Sequence, residues 1–164
     1  MSVSTMTYKE VGNGAADESI VKYKRLRLGD IAFEGHTSKE FKFGRFVLND
    51  IGDGIMSPRF SALRPINELN IQFWKYYIHF GPGMNKVLVN STKAGTMMNE
   101  LVMPEFLRER LLSPDNEEQN RIGCYFTSLD HLITLHQRNG SKTKSLILLG
   151  NSVSWEMWLQ LMGV

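Results

Sequence analysis

The chain has few of the residues that build covalent or metal-dependent chemistry. It contains one cysteine, Cys124, in 164 residues, so a disulfide within the chain is excluded, and a free thiol on a helix is expected to pack rather than to react. His131 and His136 are five residues apart on a predicted helix, whereas two metal ligands on one helical face need a separation of about four. No glycine-rich loop is followed by the lysine and hydroxyl that hold a nucleotide phosphate. We therefore expect no metal, no cofactor and no catalysis.

Acidic residues near turns offer two pairs that could act as acid and base, Glu34 with His36 and Asp50 with Asp53. Carboxylates in such positions mostly cap turns or face solvent. We expect neither pair to be a catalytic site.

Long hydrophobic runs are also missing. No apolar stretch approaches the roughly 20 residues that a membrane-spanning helix needs, and the first residues, MSVSTMTYKEV, lack the basic start and apolar centre of a secretory signal. The hydrophobic fraction of 42% is enough for one folded core. We expect a single-domain protein of the cytoplasm, with residues 1–19 forming a loop or a frayed start.

Charge is unevenly distributed along the chain, although the formal net charge is only +2. Residues 22–45 contain seven basic and three acidic side chains, and residues 46–93 contain five and three. Residues 100–118 reverse the sign, with two basic and six acidic side chains. A basic body followed by an acidic segment suits a protein that meets a polyanion with one part and a protein with another, and an ordinary solvated surface explains it equally well.

Apolar and charged residues alternate in the first half of the chain, which predicts strands. Gly29-Asp30 and Gly52-Asp53-Gly54 are turn signals between them. The predicted strand segments are 23–33, 41–48 and 55–63.

Helical spacing begins after residue 70. It predicts one helix over 70–80 that ends at Gly81-Pro82-Gly83, and shorter helices around 84–89 and 105–111. Together the two halves indicate an α+β fold, a mixed and mostly antiparallel sheet with packed helices. The aromatic residues fall at alternating or helical positions and are expected to be core rather than base-stacking residues: Phe41, Phe43, Phe46, Phe60, Phe73, Trp74, Tyr76 and Tyr77.

The last predicted helix starts at a well-defined position. Asp115 can serve as its N-cap, and Glu118 lies three residues later, where it can reach back to the cap. The apolar residues then follow the four-three spacing of a coiled-coil seam, which lets one helix lie along another. We expect this seam to face outward and to need a partner, as far as the interruption at Asn139-Gly140. The seam residues are Ile122, Phe126, Leu129, Ile133 and His136.

Four separated segments share one resemblance: YKRLRLGDIAFEGH at 23–36, GDGIMSPRF at 52–60, GTMMNELVMP at 95–104 and EEQNRIGCYFTSLDHLITLHQR at 117–138. In this order they resemble the target recognition domain of the specificity subunits of type I restriction–modification systems. The last segment looks like the conserved start of the helix that closes such a domain. The similarity covers residues 20–138. It implies a recognition domain over 1–114, with its first strands missing, and the start of a long coiled-coil spacer helix over 115–138.

The resemblance also implies partners. A specificity subunit is not an enzyme; it reads one half of a split site in double-stranded DNA and docks methyltransferase subunits, which hold S-adenosylmethionine. A separate motor subunit uses ATP and Mg²⁺, and a second specificity half-subunit could supply the other half of the site. The competing interpretation is a protein-interaction module that uses the helix seam and binds no DNA.

Basic and hydroxyl side chains around turns are the candidates for DNA contact. Lysine and arginine contact phosphates, and an arginine forked onto a guanine edge supplies about 1–3 kcal/mol of base discrimination. The predicted DNA-binding residues are Lys39, Lys42, Arg45, Arg59, Lys93 and Thr96, with His36 and Asn49 as possible additions. Each has an alternative interpretation as a plain surface residue, and Arg25, Arg27 and Arg64 are expected to be ordinary exposed strand residues.

The tail, residues 139–164, departs from the resemblance. Trp155-Glu156-Met157-Trp158-Leu159 must be encoded by codons that, read one base earlier, give a string similar to Leu28-Gly29-Asp30-Ile31-Ala32. We therefore predict that the tail is out of frame and that a second recognition domain follows in the intact gene. The alternative is an in-frame tail that forms a strand or short helix against the domain.

Overall fold

Strands occupy the first half of the chain and helices most of the second, as the change in apolar periodicity predicts. The computed structural model describes residues 1–9 and 17–138, so the predictions for residues 139–164 lie outside the described residues. Its elements are α1 (Asp17–Ile20), β1 (Lys24–Leu26), β2 (Ile31–Glu34), β3 (Arg45–Leu48), β4 (Gly54–Met56), β5 (Ser61–Leu63), α2 (Ile71–Tyr77), α3 (Gly81–Ser91), β6 (Thr92–Lys93), β7 (Glu100–Leu101), α4 (Met103–Phe106) and α5 (Asn116–Arg138). The predicted α+β class and the antiparallel pairing are confirmed.

The strands form three small antiparallel sheets. The largest has the order β3-β2-β5, while β1 pairs with β4 and β6 pairs with β7. The predicted strand 23–33 is divided into β1 and β2 because Gly29 lies between them with a φ of +81°, a conformation that favours glycine. Gly44, with a φ of +72°, similarly precedes β3.

The sheets enclose a first hydrophobic core, to which the N-terminal segment contributes. Val3 and Met6 are buried there with Leu26, Val47 and other strand residues. The terminal amino group of Met1 donates a hydrogen bond to the carbonyl of Ile55 at 2.9 Å. Residues 1–9 form no helix or strand, in agreement with the predicted loop, but they are not frayed, because Val3 and Met6 belong to the core.

A second core joins α2 to α5. Phe73, Tyr77 and Phe80 pack in it against Ile122 and Phe126. The rings of Phe73 and Tyr77 stack with their centroids 5.1 Å apart. The first turns of α5 are thus part of the body of the protein, so the predicted division between residues 114 and 115 does not separate two cores.

Three of the predicted helices have different bounds in the structure. The predicted 70–80 helix is α2, which ends at Tyr77. Gly81-Pro82-Gly83 begins α3 instead of only separating helices, because proline in the first turn gives up no intrahelical hydrogen bond. The helix predicted at 105–111 is the single turn of α4, and the two-residue strands β6 and β7 were not predicted.

Two buried polar residues organise the turns at the start of the sheet. Asn49, which is fully buried, donates from Nδ2 to the carbonyls of Arg27 at 2.9 Å and Gly52 at 2.7 Å. Asp30 accepts hydrogen bonds from Nε and Nη2 of Arg64, at 2.9 and 2.8 Å, and from the backbone N–H of Arg27 at 2.8 Å. These bonds replace the water that both side chains lose on folding.

Candidate nucleic-acid interface

Two loops lie side by side at one end of the main sheet. One is the β2–β3 loop, residues 35–44, and the other is the β6–β7 loop, residues 94–99. The backbone N–H of Asn99 donates to the carbonyl of Gly35 at 2.7 Å, and that of Thr37 donates to the carbonyl of Met97 at 3.3 Å. We call the exposed surface of residues 35–44 and 93–99 the paired-loop surface.

Four of the six predicted DNA-binding residues belong to this surface. Lys39 and Lys42 are exposed on the β2–β3 loop, while Lys93 and Thr96 are exposed at the end of β6 and on the loop that follows. Within the described residues, none of the three lysines forms an ion pair. The fold therefore brings together cations from segments more than fifty residues apart in sequence.

Arg45 adjoins the surface, but its guanidinium is held within the fold. It pairs with Glu34 at 2.9 Å, donates to the carbonyl of Ser4 at 3.0 Å and lies over the ring of Phe41, 4.5 Å from the centroid. The pair is mostly shielded from solvent, and the carboxylate balances the charge. These contacts give Arg45 a role in holding the β2–β3 hairpin to the N-terminal segment.

Arg59 lies in the turn between β4 and β5, where it is exposed. Because Ser61 stands opposite Phe33 in the sheet, this turn lies at the end of β2 from which the β2–β3 loop emerges. Lys24, which the sequence did not single out, donates from Nζ to the carbonyl of Phe60 at 2.6 Å and adds a cation beside the turn.

The remaining candidates divide by burial. His36 is exposed and forms an antiparallel bridge with Met98, so it belongs to the paired-loop surface. Asn49 is enclosed in the core and cannot reach DNA. Arg64 is exposed as predicted, but it follows β5 and forms the bidentate pair with Asp30.

The acidic residues that could have formed acid–base pairs are engaged in ion pairs. Glu34 binds Arg45, Asp50 binds Lys75 at 3.1 Å, and Asp53 binds Arg25 at 2.7 Å. In the part of the chain that the structure describes, no group of three or more His, Cys, Asp or Glu side chains could hold a metal ion. No helix among these residues is long and apolar enough to cross a lipid bilayer.

The predicted helix seam is covered at its start and open at its end. Asp115 caps α5 as predicted, since its Oδ1 accepts from the N–H of Glu118 at 2.8 Å. Ile122 and Phe126 are buried against α2, so they do not face outward as expected. The aromatic run of α2 is the sequence signal that could have identified this covering element. Of the other seam residues, Leu129 and Ile133 are half-buried and His136 is exposed.

A different set of apolar residues faces solvent on α5. Leu132 is 51% exposed, Leu135 is 41% exposed, and Tyr125 lies about two turns before Leu132 with 37% exposure. We call these three residues the outer stripe. Cys124 is also exposed, with Sγ 4.0 Å from Oε1 of Gln72, contrary to the expectation of a packed thiol.

A polar network fixes α5 against α2 beyond the aromatic core. The hydroxyl of Tyr76 donates to Asp130 at 2.7 Å, and Lys75 lies 3.6 Å from the same carboxylate. Burial, followed by the hydrogen bond to Asp130, raises the pKa of Tyr76 to about 12. These bonds join α5 to α2 one turn beyond Phe126.

Comparison of the chain with models of protein families, with curated protein sequences and with solved structures gives no match.

Proposed function

We propose that this chain is a DNA-recognition module of the type found in the specificity subunits of type I restriction–modification systems. Duplex DNA would contact the paired-loop surface and the Arg59 turn. The observation that carries the proposal is that Lys39, Lys42 and Lys93 are exposed on two adjacent loops and form no ion pair among the described residues, although Glu40 lies on the first loop and Glu100 stands opposite Lys93 in the β6–β7 register. Unpaired lysines on adjacent loops suit the closely spaced phosphates of a duplex.

The sequence resemblance supports the same surface. Segment 23–36 supplies β1, β2 and the start of the first loop, segment 52–60 supplies the Arg59 turn, and segment 95–104 supplies the second loop. Segments that resemble the family are thus the ones that meet around this end of the sheet. In this proposal the chain catalyses nothing, and a methyltransferase subunit performs the chemistry.

Charge reversal tests the proposal. In fluorescence anisotropy with labelled random-sequence duplex DNA, the double variant K39E/K42E should bind at least tenfold more weakly than the wild type at low salt. Affinity falls as salt rises, and each lost phosphate contact should make the slope of log affinity against log salt less steep by about 0.9. A matched control, R110E/R121E, changes the same charge on exposed residues of the α4–α5 region and should bind like the wild type. Equal loss in both variants, or no salt-dependent binding by the wild type, would contradict the proposal.

In this proposal α5 begins a coiled-coil spacer helix. Leu129 and Ile133 would continue the seam beyond the body, and the partners would be methyltransferase subunits, a motor subunit and a second specificity half-subunit. Only the end of the seam is open, since Ile122 and Phe126 are covered by α2.

The outer stripe favours a second candidate, a protein-interaction module that binds no DNA. Exposed leucines one turn apart are an apolar surface that a partner helix could cover. The double variant L132E/L135E separates the two candidates, because it should leave duplex binding unchanged if the paired-loop surface binds DNA. Loss of a self-association seen by sedimentation, in a chain that does not bind duplex DNA, would favour the second candidate.

A further inference from the structure

The contact between the two loops has the form of a short antiparallel ribbon. Residues 35–37 run beside residues 97–99, with His36 and Met98 as the bridge pair. The hydroxyl of Thr37 reinforces the backbone bond by donating to the carbonyl of Met97 at 3.2 Å. At Gly35, an added Cβ would lie 2.0 Å from the carbonyl oxygen of Asn99, so the two backbones approach as closely as glycine permits.

Asn99 fixes how the two loops meet. Its side chain is buried, and its Nδ2 donates to the carbonyl of Lys42 at 2.9 Å, on the far side of the β2–β3 loop. Its Oδ1 accepts from the N–H of Gly95 at 3.4 Å, which closes the second loop on itself. One residue therefore bonds to both ends of the first loop, through Gly35 and Lys42, and to the start of the second.

The most exposed apolar side chain on this ribbon is Met97. It is 71% exposed, next to the exposed Thr96, on a loop adjacent to the one that carries the exposed Lys39 and Lys42. A large apolar side chain on such a surface gains nothing from phosphate contact. It suits a surface that approaches a polyanion and also meets an apolar group on it.

We propose that residues 35–37 and 97–99 form a base-reading ribbon that enters the major groove of DNA, with its arrangement fixed by Asn99 and with Met97 against the 5-methyl group of a thymine. This inference rests on the proposed function. The major groove admits a two-stranded β-ribbon, and the thymine methyl is the apolar group that unmodified bases present there. Asn99 acts as a positioning residue, because it touches the loops and not the DNA.

Thymine-to-uracil substitution tests the contact, because it removes only the methyl group. A duplex is first selected from a random pool by the wild-type chain, and each thymine is then replaced by uracil in turn. The wild type should lose about fourfold in affinity at one position, as expected for one buried methyl group. M97A should bind the thymine and uracil forms of that duplex equally, while M103A, which shortens an exposed methionine on α4, should keep the wild-type difference.

A second variant tests the positioning role. N99D removes the donor to Lys42 with little change in volume, so it should reduce the preference for the selected duplex over random DNA by about tenfold. N99S removes the same donor without adding a charge, so its salt slope should remain that of the wild type, whereas general unfolding would reduce both the preference and the slope. If N99D is not folded by circular dichroism, N99S, which keeps a short polar side chain, takes its place.

The outcomes separate the inference from the proposed function. If the wild type selects a duplex but is insensitive to every uracil substitution, or if M97A keeps the full difference, the ribbon does not read thymine and the inference is overturned. If N99D and N99S keep the full preference, the positioning role is overturned. If the wild type enriches no duplex at low salt, the proposed function itself fails and the inference falls with it.

Discussion

Single buried polar residues decide where the turns of this small sheet lie. Burial would raise the pKa of Asp30, but the hydrogen bonds from Arg64 and from the backbone N–H of Arg27, with the charges of both arginines, outweigh it and hold the pKa below its ordinary value. The ionised form of Asp30 is therefore stabilised in the folded protein.

Replacing Asp30 by asparagine should lower the free energy of unfolding by roughly 2 kcal/mol at neutral pH, because a charged hydrogen-bond acceptor is lost at a buried position. A depressed carboxyl pKa contributes stability that is present above the unfolded pKa and is lost as the pH falls through the folded pKa. Urea denaturation at a series of acidic pH values should therefore show a smaller acid loss for D30N than for the wild type.

A matched control exists on the neighbouring strand. Arg25 and Asp53 form an exposed ion pair, and R25A should change stability little. The account of Asp30 is wrong if D30N and the wild type lose the same stability on acidification.

Sequence alone could predict the lysines of the candidate interface but not the state of Arg45. Lysines around turns are exposed wherever the turns fall, so Lys39 and Lys42 could be chosen without the fold. Arg45 stands opposite Glu34 in the β2–β3 register, and that pairing follows from which strand residues face each other. Asn99 was missed because a buried loop asparagine cannot be distinguished from an exposed one without its partners.

At the scale of elements, α5 was predicted more accurately than its surroundings. Its cap at Asp115 and its apolar spacing are local features, and the sequence states them directly. The element that covers the seam is decided by tertiary packing, because heptad spacing indicates only that an apolar face needs to be covered. The aromatic face of α2 provides that cover for Ile122 and Phe126.

Shortening Phe126 should therefore damage folding before it affects any partner. F126A should lower the free energy of unfolding by about 3 kcal/mol or more, because it opens a cavity between α2 and α5. L132A, on the exposed side of the same helix, should change it by less than about 1 kcal/mol. Denaturation curves of the two variants measure this directly, and similar losses would show that α5 does not pack on α2 as described.

The polar network between the same helices gives a smaller effect. Y76F removes the hydroxyl that donates to Asp130 and should cost roughly 1 kcal/mol of stability. The matched control is Y23F, since the hydroxyl of Tyr23 has no hydrogen bond among the described residues. A loss no greater for Y76F than for Y23F would show that the bond to Asp130 does not stabilise the protein.

At the scale of the whole molecule, the proposed function links DNA binding to stability. Duplex DNA that binds only the folded chain should raise the free energy of unfolding, by roughly 2.7 kcal/mol at a duplex concentration 100 times Kd. Thermal denaturation with and without the selected duplex measures the effect, which should shrink as salt is added and fall to about 1.4 kcal/mol or less for K39E/K42E at the same duplex concentration. An equal shift for K39E/K42E would place the DNA elsewhere.

The α+β class was predictable because it depends on the spacing of apolar residues along the chain. The meeting of the two loops of the candidate interface was not predictable. A period of two followed by a helical period places strands before helices, and the structure confirms this order. The meeting of residues 35–44 with 94–99 depends on β6 and β7, which are two residues each and carry no periodic signal. Val3 and Met6 were missed for a similar reason, since two apolar residues in a short segment do not define a pattern.

The burial of Ile122 and Phe126 has a practical consequence for building chimeras. A junction placed at Pro114, where the sequence suggests that a body ends and a helix begins, would remove two side chains from a core that α2 cannot fill alone. Hybrids joined at that point should therefore fold poorly, because their aromatic core would be incomplete. A junction after Asp130 keeps the aromatic core and the hydrogen bond from Tyr76 to Asp130 intact. The later turns of α5 can then be replaced by those of the fusion partner.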